Sequence, residues 1–232
     1  MKAMILAAGF GTRLKPITES IPKPLVEING KPVIEYTLDA LKKAGVKSVV
    51  INLHHLGALI EDRLGDGSAY GLDIRYSHEP VIKGTAGALL WARHMLDEPF
   101  YLINGDILFD IDLAILPQRM HTKNADALMV LYKATPQDMN IANIYLDGQA
   151  YVKSLFTPFP DTTPYIFTGI QILKPEAISY IPGNLHQPST TMHLYPEMLR
   201  SKRLIAGYVH SGLWIDIGSS DRLELARRFF KE

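Results

Sequence analysis

The first strand of this chain runs directly into a glycine turn. Lys2 to Leu6 reads as a short buried strand, and Ala7-Ala8-Gly9-Phe10-Gly11-Thr12-Arg13-Leu14 follows it. Gly9 and Gly11 open backbone conformations closed to other residues and let the main chain approach a ligand. Successive N–H groups in such a loop form an anion-binding concavity. Arg13 adds a forked cation suited to phosphate oxygens, and Lys23 a mobile point charge. Leu6, Ala8, Gly9, Gly11, Thr12 and Arg13 are therefore the expected triphosphate loop of a nucleotide site. No Gly-Lys-Ser/Thr closes the loop, so it is not a Walker A loop. Gly9-x-Gly11 also lacks the third glycine of a dinucleotide fingerprint. Taken as spacing alone, a tight turn with a solvated arginine is the lesser alternative.

Downstream, strand and helix patterns alternate. Glu27 to Pro32 reads as a turn with Asn29-Gly30 at its tip. From Val33 the apolar positions Ile34, Leu38, Leu41 and Ala44 recur at helical spacing up to Gly45. Ser48 to Leu53 and Asp73 to Ser77 read as strands, with a helix over Leu56 to Leu64 between them. A helix over Gly84 to Leu96 and a strand over Phe100 to Asn104 complete the series. Such alternation predicts parallel pairing with right-handed crossovers and helices on both faces. In the second half, runs at 127–132, 144–146, 151–155, 167–173 and 204–210 have fewer helices between them, which predicts a mixed sheet with some antiparallel strands. Asp221 to Phe230 reads as a closing helix with Leu223, Ala226 and Phe230 inward.

In an open α/β sheet, ligands bind beyond the carboxyl ends of the strands. The glycine loop and Asn104-Gly105-Asp106 leave the first and fourth strands at that edge, so Asp106 is expected near Arg13 and Lys23. A carboxylate beside triphosphate oxygens calls for a cation between them, and magnesium, which takes one or two carboxylates plus phosphates and water, is the expected one. The simpler alternative is an Asx turn. Asp216 is a lone acid in the apolar stretch Leu213-Trp214-Ile215-Asp216-Ile217, costly to bury unless paired or bound to a metal; the alternative is a cap on the last helix. His54 and His55 show no metal spacing and read as solvated or packed. Asp110 and Asp112 read as turn and cap residues, and Trp91, Met95 and Leu96 as helix core.

Leu-Ala-Ala-Gly-x-Gly-Thr-Arg-Leu at 6–14, with Pro22-Lys23-Pro24-Leu25 after it, resembles the sugar-nucleotide pyrophosphorylases, also called sugar-1-phosphate nucleotidyltransferases. The resemblance extends along nearly the whole chain. It implies a Rossmann-like three-layer α/β/α fold with a mixed, mostly parallel central sheet. It implies an NTP and a sugar-1-phosphate as substrates, an NDP-sugar and pyrophosphate as products, and a place in nucleotide-sugar biosynthesis for cell-wall or polysaccharide precursors. In that scheme Arg13 stabilises the departing pyrophosphate and Lys23 bridges the two phosphates. Asp106 holds Mg2+ together with Asp216 of Trp214-x-Asp216-x-Gly218. Gly84 and Thr85 open the base- and ribose-side segment. Asn104 lies near the sugar phosphate, and Gly169 of Phe167-Thr168-Gly169-Ile170 leaves room for the hexose. Two departures stand out: Gly218-Ser219-Ser220 replaces Gly-Thr-Pro, and Leu155-Phe156-Thr157-Pro158 replaces Glu-Lys-Pro. The second touches the sugar contacts, for which Asn140 and Asn143 are polar substitutes if they are not surface turn residues. The short chain is most similar to N-acetylmuramate-1-phosphate uridylyltransferases and to mannose- or heptose-1-phosphate guanylyltransferases, with the uridylyltransferases preferred.

Composition narrows the rest. Twenty-four basic and 24 acidic side chains balance to zero, so nothing marks a nucleic-acid surface, and positive charge at a phosphate site must be local. There is no cysteine, hence no disulfide, thiol nucleophile or cysteine–metal cluster. No apolar run approaches the roughly 18 residues of a membrane span, and the N-terminus does not read as a signal peptide. The expectation is one cytoplasmic domain over 1–232, its first half binding nucleotide and its second half sugar phosphate, with the oligomeric state open. Two rivals remain at this point. One is a nicotinamide-dependent oxidoreductase with Glu27 as the ribose acid, although no crossover helix precedes it. The other is a nucleotide-sugar sensor without turnover.

Overall fold

The computed structural model describes residues 1–135, 141, 143–160 and 162–229. In chain order the elements are β1 (Lys2–Leu6), β2 (Glu27–Ile28), β3 (Lys31–Pro32), α1 (Val33–Lys43), β4 (Ser48–Leu53), α2 (Gly57–Leu64) and β5 (Asp73–His78). Then come α3 (Gly84–Ala92), β6 (Phe100–Asn104), β7 (Ile107–Phe109), α4 (Leu116–Thr122), β8 (Ala127–Lys133), β9 (Ile144–Leu146) and β10 (Val152–Leu155). The chain closes with β11 (Pro164–Leu173), α5 (Tyr195–Arg200), β12 (Ile205–His210), β13 (Trp214–Asp216) and α6 (Ser220–Phe229). This is the α/β order that the alternation predicts and the Rossmann-like class that the resemblance implies.

Contacts group the chain into two compact units: Met1–Ile82, Ile103–Ala114 and Gly212–Glu232 form the first, Lys83–Leu102 and Ile115–Ser211 the second. In the first unit β1 pairs in parallel with β4, from Ala3 opposite Val49 to Leu6 opposite Asn52. β4 pairs in parallel with β5. Ala3, Met4 and Ile5 are wholly buried, as a parallel strand covered on both faces must be. β2 and β3 form a hairpin whose tip residues Asn29 and Gly30 both take left-handed φ, 51° and 78°, the geometry that makes Asn-Gly a hairpin signal. β7 and β13 form a separate antiparallel ribbon. Beneath that ribbon, Leu108, Ile215 and Ile217 join Leu14, Val26, Ile28, Val33, Leu223 and Ala226 in one buried apolar cluster.

The second unit is mixed, as its sequence predicts. β11 is antiparallel to β8 and β9, β10 is antiparallel to β9, and β12 runs parallel to β8. Three local readings need correction. The α3 helix stops at Ala92 and gives way to a 3-10 turn at Arg93–Met95. Trp91 is 47% exposed rather than core, its ring lying under the Lys83 ammonium at 4.8 Å. The short helices α4 and α5 have no counterpart in the sequence reading; each starts at a proline in its first turn, where the missing N–H costs nothing. Phe230 and Asn140 lie outside the described residues. Among the described residues no helix is long and apolar enough to cross a membrane.

Candidate active site

The glycine loop belongs to the first unit. Gly11 takes φ 62° and opens a 3-10 turn at Thr12–Leu14. A Cβ there would lie 2.7 Å from Thr18 Cγ2, so both conformation and space demand glycine. Gly9 is different: it has no left-handed φ, and a Cβ would meet nothing within 4 Å. What glycine provides at position 9 is open space in front of the loop, not conformational freedom. Ala8 is buried at the start of the turn, Leu6 is half-buried, and Phe10, Thr12 and Arg13 are exposed. Lys23 leads a further 3-10 turn, Lys23–Leu25, set by the prolines on either side of it. Its Cβ is 3.4 Å from the Cβ position of Gly11, so the lysine stem lies against the loop.

The two acids, 110 positions apart in sequence, come together here. Gly105 N donates to Leu6 O at 2.9 Å, so the chain leaves β6 alongside the end of β1. A Cβ on Gly105 would lie 2.9 Å from Leu6 O and 3.4 Å from Pro24 Cγ, and that close approach brings Asp106 up to Lys23. The β7–β13 ribbon then pairs Asp216 with Ile107, and Ile217 N donates to Asp106 O at 3.1 Å. Strand alternation turns Ile215 and Ile217 into the apolar cluster and Asp216 to the other face. The Lys23 ammonium pairs with Asp106 Oδ2 and lies 3.5 Å from Asp216 Oδ1.

Asp216 Oδ1 is a buried atom that accepts no hydrogen bond among the described residues. Burial pushes the Asp106 carboxyl above the usual carboxylate range; the Lys23 ammonium pulls it down, and the negative charge of Asp216 pushes it further up. Two hard carboxylates with an oxygen left unsatisfied suit a divalent cation. No cluster of three or more acidic, His or Cys side chains fit for a metal occurs among the described residues. A cation held here would take its remaining ligands from substrate oxygens and water.

Gly218 is a site residue that the sequence marks only as the end of a motif. A Cβ there would lie 2.7 Å from both Arg13 Nη2 and Asp216 Oδ1, so the guanidinium and the carboxylate both lie close against a bare backbone. Gly218→Ala is expected to displace the longer, exposed Arg13 side chain. Steady-state kinetics should show turnover down about 10–100-fold, the scale of a 1 Å misplacement, with a thermal midpoint close to wild type.

The remaining candidates fall in other places. Asn104 ends β6, half-buried. In the second unit, Gly84 takes φ 74°, and a Cβ would lie 2.8 Å from Pro188 O. The same carbonyl accepts from Ala86 N and Gly87 N at 2.9 and 3.3 Å, while Thr85 Oγ1 accepts from Thr190 N at 2.9 Å. Ala86 N, Gly87 N and the Thr85 hydroxyl are thus engaged by the 188–190 segment, which no sequence signal had marked. Gly169 takes φ 82° where the pairing of β11 with β8 shifts register between Phe167 and Gln171, a bulge that explains the glycine. Asn143 is held through its main chain, its N–H donating to Tyr165 O at 3.1 Å and its carbonyl accepting from Phe156 N at 2.7 Å. His54 and His55 are packed: Nδ1 of His54 lies 2.7 Å from Glu79 O, and Nε2 of His55 lies 3.0 Å from Thr18 O. Asp112 is the expected turn acid, accepting from Ala114 N at 3.0 Å.

With this geometry in place, the class follows. A profile of the nucleotidyl transferase family matches residues 2–232, and the chain belongs to that family. Among its curated relatives, the N-acetylmuramate alpha-1-phosphate uridylyltransferase of Neisseria meningitidis serogroup B is 37% identical, with 98% of this chain and 97% of the relative covered. The mannose-1-phosphate guanyltransferase of Yarrowia lipolytica is 31% identical across 94% of this chain, which spans 61% of that relative's length. HddC from Yersinia pseudotuberculosis, in a crystal structure complexed with GMP-PN, superposes with a TM-score of 0.82 at 25% identity over 99% of each chain.

Proposed function

We propose that this nucleotidyl transferase carries the nucleotidyl group of an NTP to a sugar-1-phosphate, releasing pyrophosphate, with UTP and N-acetylmuramate-1-phosphate or a related hexose-1-phosphate as its substrates. The observation that carries the reading is the meeting of Arg13, Lys23, Asp106 and Asp216 beside the glycine loop. The 37% identity to the Neisseria uridylyltransferase, nearly end to end, supports the choice of substrates.

A sugar-phosphate oxygen attacks the α-phosphorus in line; the new P–O bond forms as the bond to the bridging oxygen breaks, and that oxygen's electron pair leaves with pyrophosphate. No covalent enzyme intermediate is required, so the residues align and neutralise two polyanions. The glycine loop holds the triphosphate, and the Arg13 guanidinium neutralises the leaving pyrophosphate. Lys23 spans the attacking and attacked phosphates. Gly84 and Thr85 contribute main-chain groups on the base side, and Asn104, Asn143 and Gly169 serve the sugar-phosphate side. Asp106 and Asp216 would hold magnesium, which when bound draws charge from the α-phosphate. The cytoplasm is the proposed place of action.

A second reading, GTP with mannose- or heptose-1-phosphate, draws on Gly84-Thr85-Ala86-Gly87 and on the guanyltransferase relative. Five NTPs tested against several sugar-1-phosphates, with pyrophosphate as the readout, decide between them. UTP with N-acetylmuramate-1-phosphate should give the highest kcat/KM. Dominance of GTP with a mannose- or heptose-1-phosphate would favour the second reading. Nucleotide binding without pyrophosphate release from any pair would leave a sensor, and binding of NADH instead of NTP would return the oxidoreductase.

A further inference from the structure

β4 carries a polar residue where its pattern calls for an apolar one. Ser48-Val49-Val50-Ile51-Asn52-Leu53 is a buried strand, and Asn52 within it is 4% exposed. Asparagine is depleted in strands, and an amide buried without partners is costly. Both ends of this amide are engaged. Asn52 Oδ1 accepts from Ala7 N at 2.9 Å, at the first residue of the glycine loop. Asn52 Nδ2 donates to Glu79 Oε1 at 2.8 Å. Glu79 is itself 3% exposed, an acid buried just past β5. Its backbone is fixed in turn, Glu79 N donating to Leu53 O at 2.8 Å and Glu79 O lying 2.7 Å from His54 Nδ1.

The far end of the loop is tied to the same strand end. Thr18 Oγ1 donates to Gly11 O at 2.8 Å, and Thr18 O meets His55 Nε2 at 3.0 Å. Between these ties the Phe10 ring sits 5.5 Å from both the His54 and the His55 rings. None of these side chains belongs to the Arg13, Lys23, Asp106 and Asp216 group.

We propose that Asn52 and Glu79 are positioning residues for nucleotide binding: the buried amide–acid pair fixes the Ala7 N–H, and with it the register of the loop that receives the triphosphate. The inference rests on the nucleotide-binding reading of that loop. Its physical content is that Ala7 needs an acceptor and Asn52 needs a second acceptor behind it. The negative charge of Glu79 is not itself the requirement.

A polarity swap tests this on the full chain, with UTP and GTP plus Mg2+ as probes, by calorimetric titration and by separate KM values for NTP and sugar-1-phosphate. Asn52→Asp sets two buried carboxylates against each other and is expected to weaken NTP binding at least about tenfold and lower kcat. KM for the sugar-1-phosphate should stay unchanged. Glu79→Gln keeps an acceptor for Asn52 and should stay within about threefold of wild type. In the double variant, the carboxylate introduced at position 52 can accept both from Ala7 N and from the amide introduced at position 79, so affinity should return to within about threefold of wild type. A purely structural role would lower the thermal midpoint of Asn52→Asp and leave the NTP KM of the folded enzyme untouched. That result, or a double variant no better than Asn52→Asp, overturns the inference. If Asn52→Asp does not fold, the double variant decides alone: NTP affinity at the wild-type level supports the pair, and weak affinity in a folded protein overturns it. A wild-type chain that binds neither nucleotide would instead fail the nucleotide reading, and this inference with it.

Discussion

Asp106→Asn is expected to cut pyrophosphate release by about 10³-fold or more while leaving the chain folded, because the substitution removes a charged oxygen from the pair that would hold the cation and changes almost no volume. The expected stability effect has a definite sign. The Asp106 carboxyl sits above its usual range in the folded, metal-free protein, first through burial and then through the charge of Asp216. An acid whose folded pKa is raised stabilises the fold only at low pH, and that contribution disappears as pH rises through the folded value. At neutral pH the ionised group is therefore a burden on the metal-free fold. The neutral variant should melt at the same temperature as wild type or higher, with Lys23 still near Asp216. Thermal melts beside pyrophosphate assays check both halves. Normal turnover in a folded Asp106→Asn protein would remove the metal assignment, and Asp216→Asn should behave alike.

Lys23→Met should lose about 10²–10³ in kcat, since its ammonium is assigned to both phosphates in the step where charge redistributes. A loss confined to NTP affinity, with kcat intact, would show that the lysine holds substrate without bridging. The same variant carries an opposite expectation for the cation. In the ligand-free protein Lys23 pairs with Asp106 and lies 3.5 Å from Asp216, so it competes with any metal for those oxygens. Removing it should tighten Mn2+ binding to the nucleotide-free protein by about tenfold, measured by titration, and Lys23→Arg should not. Unchanged Mn2+ affinity in Lys23→Met would mean that the acids are not the cation's ligands or that the lysine does not guard them. The Asp106→Asn titration tells these apart.

Much of the first unit was legible because its signals are local. β1 and β4 lie where short apolar runs open on a polar residue, Lys2 and Ser48, with the predicted ends. The helix from Val33 follows its 3.6-residue period, and Asn29-Gly30 turns as that pair must. Trp91 was misread because Ala86, Ala88, Leu89 and Ala92 leave α3 with no polar stripe to mark its outer face. The helices α4 and α5 were missed because 7 and 6 residues are too few for a period to declare itself.

At the candidate site, the chemical types are readable from the residues alone: a glycine loop, two cations and two acids at strand ends. That Asp106 should approach Lys23 could be argued from strand polarity alone. That Asp216 joins them is what the family resemblance implies; the fold supplies the means, a ribbon between β7 and β13 pairing residues about a hundred positions apart. Only the tertiary structure revealed that Gly105 and Gly218 are bare so that other groups can come close, and that Asn52 is tied to Ala7 and Glu79. The physical reason is one of range. Conformational preference and hydrophobic period are written into neighbouring residues, whereas close approach and polar partnership depend on which distant segment arrives, and the chain specifies that through its packing as a whole.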